Sequence, residues 1–177
     1  MRQIYLNFWK KDYESDFIIG DSNFNAQQIL LNMNSNVCLV GPRFSGKKHL
    51  IYQISKIKNI NVYFLDLMQD QEIIAKFDQE SGVWIKGNAS NFSPDVLSRI
   101  HSMFLAEIFE LTQDMLFPLL MTRLERVGLK LRSDLFNYIL YHIPLKYSFI
   151  ESLIQSLLTL KIITLESIKD ILIKLNH

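Results

Sequence analysis

Residues 41 to 47 read GPRFSGK, the G-x-x-x-x-G-K spacing of a loop that holds nucleotide phosphates. Gly41 and Gly46 let the backbone turn its amides toward an anion, and Pro42, Arg43, Phe44 and Ser45 span the turn. Lys47 supplies a point charge for the outer phosphates, and the helix expected to follow adds its positive end. A plain strand-to-helix turn would share the glycines, but chance seldom supplies both the apolar strand before and the amphipathic helix after. Position 48 is where such a loop carries Ser or Thr, whose hydroxyl ligates magnesium; here it is Lys48, followed by His49. An ammonium repels a divalent cation, yet its charge substitutes in part for the metal against a diphosphate. The expectation is therefore ADP held without magnesium, with ATP handled poorly. Hydrolysis would also need an apolar strand ending in Asp beside a second acid. VYFLD ends at Asp66 but Leu67 follows, and Asp66 serves equally well as a cap on the strand or the next turn. Intrinsic ATPase activity is not expected on these two counts. The four histidines are scattered without ligand spacing, so no metal site is expected, and no Ser-His-Asp or Cys-His arrangement is legible.

These residues need a parallel α/β layer to hold them. NVCLV (36–40), NVYFLDL (61–67), GVWIKG (82–87) and MFLAEIFEL (103–111) read as buried strands, being short, apolar and rich in β-branched or aromatic residues. Helical spacing appears over 25–33, 49–57 and 72–77, and SPDVLSRI (93–100) offers Ser93 as N-cap with Pro94 at the first helical position. From Thr112 the pattern changes to four amphipathic helical stretches, separated by Gly128, Pro144 and a short IIT turn. Pro118 falls inside the first of them, so that helix is expected to kink or to begin later. The predicted organisation is an N-terminal arm (1–15), a small α/β domain (16–111) and a helical domain (112–177).

Lys and Arg total 19 against 18 Asp and Glu, a net charge of +1. That balance argues against a dedicated nucleic-acid binder and against direct sequence-specific DNA binding. The single cysteine, Cys38, lies in an apolar run and fits a reducing cytoplasm. The first residues carry charges too early for a signal peptide, and the most apolar stretch, 103–121, is interrupted by Glu107, Glu110, Gln113, Asp114 and Pro118. No membrane association is expected.

Three stretches resemble the DnaA/Hda group of AAA+ replication proteins. DFIIGDSN (16–23) resembles the family's N-terminal box beside the adenine, which implies that Phe17 and Ile18 line a nucleotide site. GPRFSGKKHL (41–50) resembles its phosphate loop, and SPDVLSRI (93–100) resembles the box carrying its arginine finger, at Arg99. The four C-terminal helices resemble its lid, and GVWIKGNAS resembles the sensor strand, with Asn88 at the polar sensor position. The resemblance implies a reduced AAA+ P-loop parallel sheet with helices on both faces, followed by an all-helical lid. The interval from Lys47 to Arg99 is shorter than in the family, so a strand and helix around the acidic motif are expected to be deleted or fused. No DNA-binding helix-turn-helix stretch follows the lid, which favours the Hda-like branch.

Hda-like proteins carry an N-terminal peptide that docks on the polymerase sliding clamp. QIYLNF (3–8) places Gln3, Ile4, Leu6 and Phe8 at matching positions, although such an arm also has the means to pack on its own domain. The resemblance thus implies a regulator of chromosomal replication initiation, tethered to the DNA polymerase III sliding clamp. It would promote hydrolysis of DnaA-bound ATP through Arg99 acting in trans, with localisation at the nucleoid through the replisome. Two alternatives stay open. One is a nucleotide-independent adaptor for DnaA or the clamp; the other is a weak P-loop NTPase using Asp66 and Asn88. Self-association as a homodimer is compatible with all three.

Overall fold

The structure, a computed structural model, describes residues 17–87 and 91–176. The chain divides into two compact units, with the boundary between Phe109 and Glu110.

In the first unit the apolar runs form β1 (Val37–Val40), β2 (Val62–Phe64), β3 (Val83–Ile85) and β4 (Phe104–Glu107). All pairings are parallel and the strand order is β2-β3-β1-β4. Parallel neighbours need long crossovers. These are supplied by α2 (Lys47–Ile57), α3 (Asp70–Gln79) and α4 (Pro94–Ser102), while α1 (Phe24–Asn32) precedes β1.

Successive residues of a strand point to opposite faces, and β1 serves a core on each. Val37 and Leu39 face Ala26 and Leu30 of α1 and Leu50, Ile51 and Ile54 of α2. Cys38 faces the other way, into a cluster with Trp84, Ile73 of α3, and Val96 and Ile100 of α4. Helices therefore cover both faces, as the resemblance implies. Burial in that second core pushes the Cys38 thiol up to about 11, so it stays protonated at neutral pH.

Several spans are shorter than their apolar runs suggest. The expected strand 61–67 stops at Phe64, because Leu65–Leu67 closes into a 3-10 turn whose Leu65 is buried and whose Leu67 is exposed. β4 ends at Glu107, although the Ile108 amide still bonds to the Val40 carbonyl at 3.0 Å. Ser93 is the N-cap of α4 by position and Pro94 its first residue, but the Ser93 hydroxyl makes no capping bond. Instead the Ser93 amide donates to Asp70 Oδ2 at 2.9 Å, joining the starts of α3 and α4.

The second unit contains α5 (Gln113–Arg126), α6 (Ser133–His142), α7 (Tyr147–Leu158) and α8 (Leu165–Asn176). Pro118 lies inside α5, which nevertheless begins at Gln113, against the later start allowed for. It follows the first turn closely, so only one intrahelical bond is lost. Gly128, at φ 72°, ends α5 in the left-handed conformation that favours glycine. Thr164 and Ser167 cap α8 reciprocally: Thr164 Oγ1 accepts from the Ser167 amide at 3.2 Å and Ser167 Oγ from the Thr164 amide at 2.9 Å. Arg123 of α5 pairs with Glu151 of α7 at 3.2 Å. Among the described residues, no helix is long and apolar enough to cross a membrane.

One side chain joins β1 to β3 beyond the backbone ladder. Asn36 Oδ1 accepts from the Gly82 amide and from Trp84 Nε1, both at 2.9 Å. Trp84 is fully buried, so its indole N–H has no access to water. Asn36→Ala is expected to cost about 1–3 kcal/mol, the penalty for orphaning buried donors. Asn36→Asp, which keeps the acceptor, is expected to cost less, and urea denaturation of both variants measures the difference.

Candidate functional site: the phosphate loop and Arg99

β1 runs directly into the loop of residues 41–46, and α2 begins at Lys47. Gly41 has φ 153°, and a Cβ there would stand 2.8 Å from the Ile108 carbonyl oxygen and 2.9 Å from Ile108 Cβ. The loop thus turns against the end of β4 with no room for a side chain. Gly46 is the N-cap of α2 at φ 85°, which directs the first amides of the helix into the loop, where they lack intrahelical partners. Phe44 is the non-glycine residue with positive φ among the described residues, at 63°. A bulky side chain in that region stores about 1–3 kcal/mol of strain. Its ring lies 5.6 Å from the Arg43 guanidinium carbon. Ser45 is buried, and its Oγ has no hydrogen-bond partner.

The three cations of the loop are differently engaged. Lys47 Nζ donates to the carbonyls of Gly41 and Pro42, both at 2.7 Å. Burial pushes its pKa down, an effect that the negative charge of Asp66 partly offsets. Lys48 Nζ lies 5.4 Å from the centre of the Phe64 ring, in cation–π range. Arg43 is exposed. Asp66 is on the 3-10 turn rather than at a strand end, and its Oδ1 accepts from the Gly87 amide at 3.2 Å. The turn after β2 thereby brings Asp66 next to the end of β3, where its charge acts on Lys47.

Phe17 packs on the loop: a Cβ on Gly46 would stand 3.2 Å from Phe17 Cε2, and the Phe17 ring meets His49 edge-on at 5.3 Å. Ile18 is held through its backbone, its carbonyl accepting from Asn23 Nδ2 at 2.9 Å. Asn23 is buried, and its Oδ1 also accepts from the Gly20 amide at 3.1 Å. Sequence reasoning passed over Asn23, although its type and its place before α1 were the available signal. It also passed over Phe64, whose contact with Lys48 depends on β2 ending where it does.

Arg99 lies apart from this cluster, on α4, with its partners on α3 and on its own helix. Its Nη2 meets Asp78 Oδ2 at 3.4 Å and its Nη1 the Asp95 carbonyl at 3.3 Å, while Cζ is 6.0 Å from the centre of the Phe77 ring. Nothing in the sequence marked Asp78. Asn88 and the arm residues Gln3, Ile4, Leu6 and Phe8 lie outside the described residues.

The arrangement suits a phosphate chain: the N-terminal end of a helix, two glycines at positive φ, a half-buried lysine and an unpartnered buried hydroxyl. It suits a divalent cation poorly, because position 48 offers an ammonium. Among the described residues no group of three or more His, Cys, Asp or Glu is placed to hold a metal ion.

No protein-family profile matches the chain, and no curated protein matches it in sequence. Solved structures do match. Domain III of the replication initiation protein DnaA from Thermotoga maritima superposes with a TM-score of 0.62 at 14% identity, over 90% of this chain and 94% of that one. A DnaA from Aquifex aeolicus, solved with AMPPCP bound, gives 0.54 at 18% identity over 82% of this chain and 63% of that one. A RuvB variant from Thermotoga maritima gives 0.50 at 11% identity over 98% and 70%. The chain thus spans less than two thirds of the Aquifex protein and nearly all of the isolated DnaA domain. At these identities the likeness establishes the fold, the AAA+ P-loop fold of DnaA and RuvB.

Gly41→Ala tests the close passage at Ile108. The added methyl group is expected to lower stability by about 1–3 kcal/mol, as overpacking does, measured by chemical denaturation, and to weaken any anion binding at the loop.

Proposed function

We propose that this chain is an Hda-like regulator of replication initiation, acting on DnaA-bound ATP and tethered to the sliding clamp through Gln3, Ile4, Leu6 and Phe8. It would work in the cytoplasm, at the nucleoid. The observation that carries this reading is a phosphate loop complete in its glycines and lysine, with Lys48 where hydrolysis requires a metal-binding hydroxyl. Such a loop is equipped to hold a nucleotide as a fixed ligand rather than to turn it over. The fold shared with DnaA supports the choice of partner.

The residues fit a diphosphate. Lys47 would exchange the Gly41 and Pro42 carbonyls for phosphate oxygens, and the amides at the start of α2 would supply the remaining donors. Lys48 would leave Phe64 to take the charge that magnesium ordinarily neutralises, and Phe17 with Ile18 would border the base. ADP bound there would supply no reactive bond to this chain, only the fixed negative charge of its diphosphate. Arg99 is assigned the trans role, stabilising charge that develops on the γ-phosphate held by DnaA.

A second reading has one observation in its favour. Lys47 is already satisfied by two carbonyls of its own loop, as expected of an adaptor that docks on DnaA or the clamp without nucleotide. Lys47→Ala would then leave partner binding unchanged.

Two experiments decide. In the first, hydrolysis of DnaA-bound ATP is followed on clamp-loaded DNA. The chain is expected to stimulate it, Arg99→Ala to lose at least tenfold, consistent with the ~10³-fold or larger effects of such arginines, and Arg99→Lys not to restore it. Gln3→Ala with Leu6→Ala is expected to abolish clamp binding and with it the stimulation; stimulation by the Arg99→Ala protein at the unaltered level would sink the proposal. In the second, calorimetry with ADP is expected to give the same affinity with magnesium or with EDTA, and Lys48→Thr to make binding magnesium-dependent. Absence of ADP binding under both conditions would leave the adaptor reading.

A further inference from the structure

A guanidinium carries five N–H donors in a rigid fork. Arg99 uses them poorly. Its two bonds, 3.3 Å to the Asp95 carbonyl and 3.4 Å to Asp78 Oδ2, are long for charge-assisted bonds, which run to about 2.7–2.9 Å. Its Nε is buried with no acceptor at all. The Arg99 side chain is 28% exposed and Asp78 59% exposed, so their attraction is weakened by water. Arg99 Cζ also lies 6.0 Å from the centre of the Phe77 ring. We propose that Asp78 is a positioning residue that parks Arg99 on α3 and sets which anions on a partner Arg99 leaves it for. This rests on the trans role assigned to Arg99 above.

The physical content is competition for one fork. A partner anion that takes the guanidinium in its fork geometry competes with the Asp78 carboxylate, and it approaches against the charge of that same carboxylate. An acceptor with a single charge, such as a partner's side-chain carboxylate, offers no electrostatic advantage over Asp78. A terminal phosphate carries more charge. The pairing thus selects phosphate over carboxylate and keeps Arg99 from pairing with stray acidic groups. Asp78→Asn removes the charge while keeping shape, and should leave the fold intact because Asp78 stands at the surface.

The test uses the full chain with DnaA-bound ATP on clamp-loaded DNA. Asp78→Asn is expected to lower the concentration needed for half-maximal stimulation by about two- to fivefold, the range provided by an exposed ion pair. The gain should vanish in the Arg99→Ala background. No change, a weaker effect, or a gain that persists without Arg99 would overturn the proposal and leave Asp78 a surface contact. If the unaltered chain gives no stimulation, the trans role itself has failed, and a separate measurement still decides about Asp78. The Nε–H resonance of Arg99, assigned by its loss in Arg99→Ala, is titrated with pyrophosphate. A two- to fivefold lower midpoint in Asp78→Asn supports the parking role; coincident titrations, or no response in either protein, refute it.

Discussion

The end of β4 fixes the position of the phosphate loop. The Ile108 amide bonds to the Val40 carbonyl, and the next residue of β1's chain, Gly41, passes so close to Ile108 that a methyl group would collide. One residue further, the Phe109 amide bonds to the Ser22 carbonyl at 2.8 Å, which ties down the segment carrying Phe17 and Ile18. Two neighbouring amides of one chain therefore anchor both walls of the site, the loop and the segment beside it. A shift at 108–109 would move them together.

The sheet then separates two chemistries by strand alternation alone. Val37 and Leu39 seat α2, whose first turn carries Lys47 and Lys48, whereas Cys38 between them faces the layer from which Arg99 is presented. The loop at the head of α2 and Arg99 on α4 belong to helices on opposite faces of the sheet. The proposed function would use that separation, with one face for each nucleotide. The separation also explains why Arg99 takes its local partners from Asp78 and Asp95 and none from the loop.

Much of this was legible because it is set locally. The glycines of the loop, the apolar run of β1 and the periodicity of α2 and the four C-terminal helices each announce themselves within a dozen residues. The departures arise where tertiary contacts decide. NVYFLDL has the composition of a strand throughout, but the 3-10 turn at Leu65 buries that side chain and redirects the chain so that Asp66 reaches Gly87. Pro118 carries a local cost that packing overrides: its helix buries Met115, Leu116, Leu120 and Leu124. The engagement of Lys47 with its own carbonyls, the perch of Lys48 on Phe64 and the partnership of Arg99 with Asp78 depend on residues distant in sequence or on backbone groups. No spacing rule encodes them.

Cys38 has a further use. It is the sole cysteine of the chain, it lies in the doubly paired strand β1, and the helical unit has no thiol. Modification by a thiol reagent must wait for the sheet to open, so the labelling rate is an internal clock for that event. Read beside a signal from the whole chain, such as circular dichroism, it distinguishes a protein whose two units unfold together from one whose sheet outlasts its helices.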